Sequence, residues 1–322
     1  TPSKIISKYV QNSKKSLFKE LVYNRKAALF ARFISTVIQD NLAAVPGMAN
    51  TKWSWYEFMN HHWIRCHDPA SHLYEPDGPV KSKLLQFKSL MPKKDKETKH
   101  FKLAFRKTYY ELDNAPSINN ILGLLGGRLT KSDFSDLRDE KPHLLHFTNG
   151  VFDFSSGTLR PGRPDDFITL SVRYPYISWD RQTSTDRDAI LSFLGQVFPD
   201  KAIREFTLKY LARALKGRSN TGLVFFLIGG GANGKSTLMN LILSAFGEYA
   251  DTASTALMMN AKRPDAGKAT PELMALRGRR LIAMHEPEEN ERLSVGIMKQ
   301  MSGGDQITGR NLHESTTTFH LM

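Results

Sequence analysis

Cysteine, long apolar runs and negative charge are all scarce in this chain. One cysteine, Cys66, stands among 322 residues, which excludes a disulfide within the chain and suits a reducing compartment. No apolar stretch approaches the ~18 residues of a membrane span, and the first residues lack the apolar core of a signal peptide. An intracellular protein without a membrane partner is therefore expected. Acidic residues number 32 against 45 lysines and arginines, a formal charge of +13. That surplus favours a polyanionic partner, most simply nucleic acid, with a basic surface kept for solubility as the plainer alternative.

What is present reads as several segments. The chain opens at Thr1 and closes on "TTTFHLM" within a strand-like run, so a piece of a longer polypeptide is expected. Residues 1–45 read as helical, with Leu17, Leu21, Ala28, Phe33 and Val37 near a helical repeat. Residues 50–75 are aromatic-rich and contain "HHWIRCHD", whose His61, His62, Cys66 and His67 match no standard zinc spacing. Packing and surface roles are expected for them. The lysine-rich stretch 91–110 reads as a solvated or DNA-facing loop running into a helix. "SINNILGLLGGRL" reads as a short helix ended by Gly126 and Gly127. Together residues 1–140 form an expected basic, mainly helical region.

A small β-hairpin or meander is expected over 141–182, from alternation around Asn149-Gly150 and Ser156-Gly157. Asp153, Asp165 and Asp166 lie there, and turn or strand-edge roles suit them better than catalysis. Residues 183–218 read as two helices split at Pro199-Asp200 and stopped by Gly217.

The most specific signal follows. "VFFLIGGGANGKSTLMNLI", residues 224–242, reads as strand, glycine-rich turn and helix. Gly229, four residues, then Gly234-Lys235-Ser236 satisfy the phosphate-loop pattern. Glycines let successive amides point at phosphate oxygens, and the helix adds its positive end. The candidate nucleotide cradle is Gly229, Gly230, Gly231, Ala232, Asn233, Gly234, Lys235, Ser236 and Thr237. Lys235 is expected to reach the β- and γ-phosphates of ATP, and Ser236 to ligate Mg²⁺.

Hydrolysis also needs an acid at the end of a neighbouring strand. "RRLIAMHEPEEN" supplies Leu281–Met284 as the strand, then Glu286, Glu288 and Glu289. Glu286 is the candidate for orienting water or holding Mg²⁺, while a solvated turn carboxylate is the plain alternative. Beyond it, Ile297, Met298 and Met301 read as a short helix. "QITGRNL" and "TTTFHLM" read as paired strands. Lys299, Arg310 and His313 on this hairpin suit contact with a phosphate backbone. For Arg310 an ion pair with Asp305 or Glu314 competes with that role.

The combination of "GGGANGKST", "LRGRRLIAMHEPEE" and "MKQMSGGDQITGRNLHE" resembles superfamily 3 helicases of poxvirus-type and satellite-phage-type primase–helicases. The resemblance covers residues 143–322. It implies an α/β fold with an AAA+-like P-loop ATPase core at 219–322, preceded by the mainly helical region and the small β element. It also implies a ring homo-oligomer, usually a hexamer, that uses ATP and Mg²⁺ to translocate on single-stranded or forked DNA at the site of replication. A primase domain or other replication proteins are its implied partners. Lys235 and Glu286 take the catalytic roles in that family. His285 stands where a second acid is usual, so the roles of Glu286, Glu288 and Glu289 stay open. The family's sensor asparagine and arginine finger would follow Met322. A small-molecule kinase, or a scaffold that nucleotide merely stabilises, are the alternatives.

Overall fold

The computed structural model describes residues 2–38, 41–46, 53–96, 98–131, 133–217, 223–231, 233–258, 270–284, 293–310 and 316–322. Two compact units divide the chain: Thr1–Phe58 with Ile64–Ser132, and Met59–Trp63 with Asp133–Met322.

The first unit contains helices α1 (Pro2–Asn24) and α2 (Ala27–Ile38), then strand β1 (Leu42–Pro46) and most of β2 (Trp53–Met59) and β3 (His62–Cys66), whose Met59, His62 and Trp63 belong to the second unit. Helices α3 (Ser71–Tyr74), α4 (Pro79–Ser89), α5 (Lys93–Lys96), α6 (Lys99–Glu111) and α7 (Ala115–Leu129) follow. Where one long helical pattern was expected, Arg25 adopts φ 46° and splits α1 from α2. Leu17, Phe18, Leu21, Phe30, Phe33 and Ile34 still face one core, joined by Leu84, Phe101, Ile121 and Leu125. Each such buried side chain contributes about 1.5–3 kcal/mol.

The sheet β1-β2-β3 was not anticipated. Its strands draw on Trp53, Trp55, Tyr56 and Phe58, whose rings suit a pleated surface. Asn60 and His61, at φ 48° and 70°, make the two-residue turn between β2 and β3. Both central residues are left-handed, as the tightest hairpins require, but Asn-His lacks the usual glycine signal. Nor does α7 stop at Gly126-Gly127: it runs on to Leu129. A Cβ at Gly126 would lie 2.4 Å from Trp53 Cε2, so this glycine admits the indole instead of ending the helix.

The second unit begins with α8 (Phe134–Leu137) and the antiparallel meander β4 (Leu144–Phe147), β5 (Gly150–Asp153) and β6 (Thr158–Arg160). Asp166 ties the meander's end. Its carboxylate accepts two bonds from Arg160 at 2.8 Å each and one from the Arg163 amide at 2.8 Å. Burial works against its charge, but Arg160 and the Arg163 amide outweigh it and hold the carboxyl below its usual pKa. Trp63 is fully buried and donates its indole N–H to Pro164 O at 2.8 Å.

Helices α9 (Ser184–Val197) and α10 (Lys201–Lys216) split where expected, with Asp200 capping α10 through the amides of Ala202 and Ile203. After them come α11 (Lys235–Phe246), β7 (Ala250–Ala253), α12 (Pro271–Ala275), β8 (Leu281–Met284), α13 (Val295–Ser302), β9 (Gln306–Gly309) and β10 (Thr317–His320). Strands β7 and β8 pair in parallel, and β9 and β10 antiparallel with Gly309 opposite Thr317. Successive residues of β8 face opposite sides. Leu281 joins the cluster of Leu238, Ile242 and Phe246 from α11, and Ile282 joins Ile307 and Phe319 from the β9-β10 hairpin. The class is α/β, with small sheets among helices. No helix of the described residues is long and apolar enough to cross a membrane.

Candidate nucleotide-binding site

The phosphate-loop helix forms where the pattern places it, at Lys235. Gly234 is its N-cap in the left-handed conformation, φ 81°, and no side chain caps the first amides. A β-carbon at Gly234 would strain the backbone and stand 3.0 Å from Val197 Cγ2 at the end of α9. The amides of Lys235, Ser236 and Thr237 are thus the uncapped donors of a helix N-terminus. The side chains of Ser236 and Thr237 are exposed.

Lys235 folds back over the loop. Its ammonium donates to Gly229 O at 2.8 Å, Gly230 O at 3.1 Å and Asn233 Oδ1 at 2.9 Å. The positive charge therefore stands inside the turn, held by three neutral acceptors that phosphate oxygens can replace with a stronger, charge-assisted pairing. Gly229 keeps the turn open at the other end: a Cβ there would lie 2.4 Å from Asn233 Nδ2. At Gly230 and Gly231 a Cβ would meet nothing within 4 Å. Three uncapped amides and one ammonium, beside a turn with glycine at 229, 230, 231 and 234, form a donor set that fits a polyphosphate.

The expected strand over 224–228 is corrected by the structure. Residues 223–230 carry no ladder, and Leu223, Phe226 and Ile228 are exposed, Ile228 to 91%. A parallel strand needs a paired neighbour and cover on both faces. Here β7 and β8 pair with each other, and the apolar run joins neither.

Of the remaining sequence candidates, Ala232, Glu286, Glu288, Glu289 and His313 lie outside the described residues. β8 ends at Met284, as expected for the strand that precedes the acids. Lys299, expected on the hairpin, stands instead on the helix before it, exposed on α13. Arg310, just past β9, is tied at its backbone to Thr270, whose amide donates to Arg310 O at 2.9 Å. Phosphate-loop helix and hairpin lie against opposite sides of β8, through Leu281 and Ile282 respectively.

Three arginines before β8, Arg277, Arg279 and Arg280, anchor it. Arg280 is buried, donates to the carbonyls of Leu144 and Leu215, and lies 4.7 Å over the Tyr249 ring. Burial pulls its pKa below the usual guanidinium value. Arg277 donates to Arg138 O and Asp136 O, and Arg279 pairs with Asp251 at 3.2 Å. Their signal was present in the sequence: three cations directly ahead of an apolar strand.

The histidines expected to pack do so. His62 stacks on His146 at 4.0 Å, the Gly162 amide donates to His61 Nδ1 at 3.2 Å, and Cys66 Sγ lies 3.6 Å from His72 Nε2.

Residues 31–199 match the family described as D5 N terminal like. Over 274 residues, 82% of this chain, the sequence is 32% identical to "Putative helicase L207/L206" of Acanthamoeba polyphaga mimivirus. The chain belongs to the D5-type primase–helicase family. Further viral proteins are similar at lower coverage or identity. "Putative helicase 121R" of Invertebrate iridescent virus 3 is 32% identical over 63% of the chain. An African swine fever virus protein named as a primase is 22% identical over 95% of it. The chain covers 28%, 22% and 34% of the lengths of these three relatives.

Proposed function

We propose that this chain is the ATP-dependent helicase part of a viral or mobile-element replication primase–helicase. The observation that carries the reading is the turn at Gly229–Lys235, with its ammonium held inside by loop carbonyls, in a chain of the D5-type family. ATP is held by the amides and Lys235. Ser236, with Glu286 directly or through water, would hold Mg²⁺, whose charge would offset that of the bound phosphates. Glu286 orients the attacking water. The chain works in a ring of identical subunits, six by the family's habit, with each nucleotide between neighbours. Hydrolysis moves the segment from α13 through the hairpin, which bears Lys299, Arg310 and His313, along one strand of single-stranded or forked DNA. A primase domain and other replication proteins are its partners.

An ATPase assay with and without single-stranded DNA tests this. Stimulation by DNA supports the motor, hydrolysis indifferent to DNA argues for a small-molecule kinase, and nucleotide binding without hydrolysis argues for a scaffold.

A further inference from the structure

The positive charge is unevenly divided. The unit of Thr1–Phe58 and Ile64–Ser132 holds 22 lysines and arginines against 10 acidic residues, a surplus of 12. The unit with the phosphate loop holds 23 against 22, a surplus of one. The electrostatic footprint for a polyanion is therefore carried by the first unit and not by the one with the phosphate loop.

Helix α6 concentrates that footprint. Phe101, Phe105 and Thr108 bury one side of it, and its N-terminus is capped by Thr98. The other side exposes Lys99, Lys102, Leu103, Arg106, Lys107 and Tyr110. Lys99, Leu103, Arg106 and Tyr110 recur at helical spacing, a stripe about 16 Å long. Tyr110 is 56% exposed, and the Arg106 guanidinium lies 5.9 Å over its ring. At the edge of the stripe, Tyr23 of α1 stacks on His100 at 5.3 Å with 16° between the planes. Among the described residues, no carboxylate forms an ion pair with Lys99, Lys102, Arg106 or Lys107.

Solvation accounts for the cations but not for a tyrosine and a leucine standing out between them. Alternating cations and exposed rings suit a strand whose bases are free to stack. A duplex keeps its base faces inside.

We propose that the exposed face of α6, with Tyr23 and His100 at its edge, binds single-stranded DNA. Bases stack on Tyr110, and phosphates pair with Lys99, Lys102, Arg106 and Lys107. The choice of DNA rests on the replication role proposed above, while the single-strand chemistry stands on α6 alone.

Fluorescence anisotropy of the whole chain, without nucleotide, tests the surface. The probes are a labelled oligothymidylate, an oligouridylate and a duplex of the same length, each titrated with salt. The Lys99→Gln/Lys102→Gln/Arg106→Gln variant should bind oligothymidylate about ten-fold more weakly and lower the salt slope by about 2, since each single-strand phosphate contact contributes about 0.7. Tyr110→Ala should weaken binding about five-fold with the slope unchanged. All four positions are exposed, so an unchanged circular-dichroism melt will show that the fold persists. Wild-type affinity in both variants overturns the surface, as does a duplex bound as tightly as the single strand. Preference for oligouridylate overturns the assignment to DNA. Weakened binding in the α6 variants, in a chain whose hydrolysis ignores DNA, upholds this surface and overturns the motor. DNA-stimulated hydrolysis with undiminished binding in those variants overturns the surface alone.

Discussion

His146 makes the stability of the second unit depend on pH in a calculable way. Its side chain is about 1% exposed on β4, its Nε2 donates to Asn60 O at 2.7 Å, and its ring stacks on His62. Burial, reinforced by the neighbouring His62, pushes its pKa down from 6.5 to about 4. The unfolded chain accepts a proton near pH 6.5 that the folded chain refuses until about pH 4. Stability from this group is therefore complete above about pH 6.5 and falls as the pH drops toward 4. A shift of roughly 2.5 units corresponds to about 3 kcal/mol in full, of which about 2 kcal/mol is lost between pH 7 and pH 5. His146→Gln removes the titration and keeps a donor for Asn60. Urea unfolding followed by far-UV circular dichroism, at a series of pH values, should show wild type losing about 2 kcal/mol more than the variant across that interval. Parallel pH dependences for the two proteins would refute the reasoning.

Other residues offer independent checks. Gly126→Ala places a methyl within 2.4 Å of the Trp53 indole and should destabilise the first unit by about 1–3 kcal/mol, read as a lowered melting temperature. A melt matching wild type would mean that the indole moves aside freely. Asp166→Asn removes the charge that accepts from Arg160 and the Arg163 amide, and should cost about 2–4 kcal/mol in the second unit by urea unfolding. A cost below about 0.5 kcal/mol would show the pair to be solvent-screened.

Legibility followed the kind of information each feature needed. The meander, the α9-α10 break at Asp200, β8 and the β9-β10 pair carry local signals, namely turn dipeptides, a cap and apolar alternation, and all stand where the sequence places them. The sheet β1-β2-β3 did not announce itself, because its turn uses Asn60-His61 and its aromatic strands also read as packing residues. Gly126 misled for a related reason. A helix-stopping glycine and a glycine that admits a ring are the same letter, and Trp53, far away in sequence, decides between them. At the candidate site, the start of α11 at Lys235 was legible from the spacing. The run 224–228 was not, because an apolar segment becomes a strand only if a neighbour pairs with it, and no described strand pairs with this run.

The most direct test of the central claim is calorimetric titration of Mg-ATP into the wild-type chain and into Lys235→Ala. Lys235 makes its bonds to exposed loop acceptors, so the substitution should leave the nucleotide-free melting temperature within about 1 °C of wild type. The account predicts that wild type binds Mg-ATP and that the variant loses at least about ten-fold in affinity, roughly 1.4 kcal/mol. Equal affinity in the two proteins would contradict it.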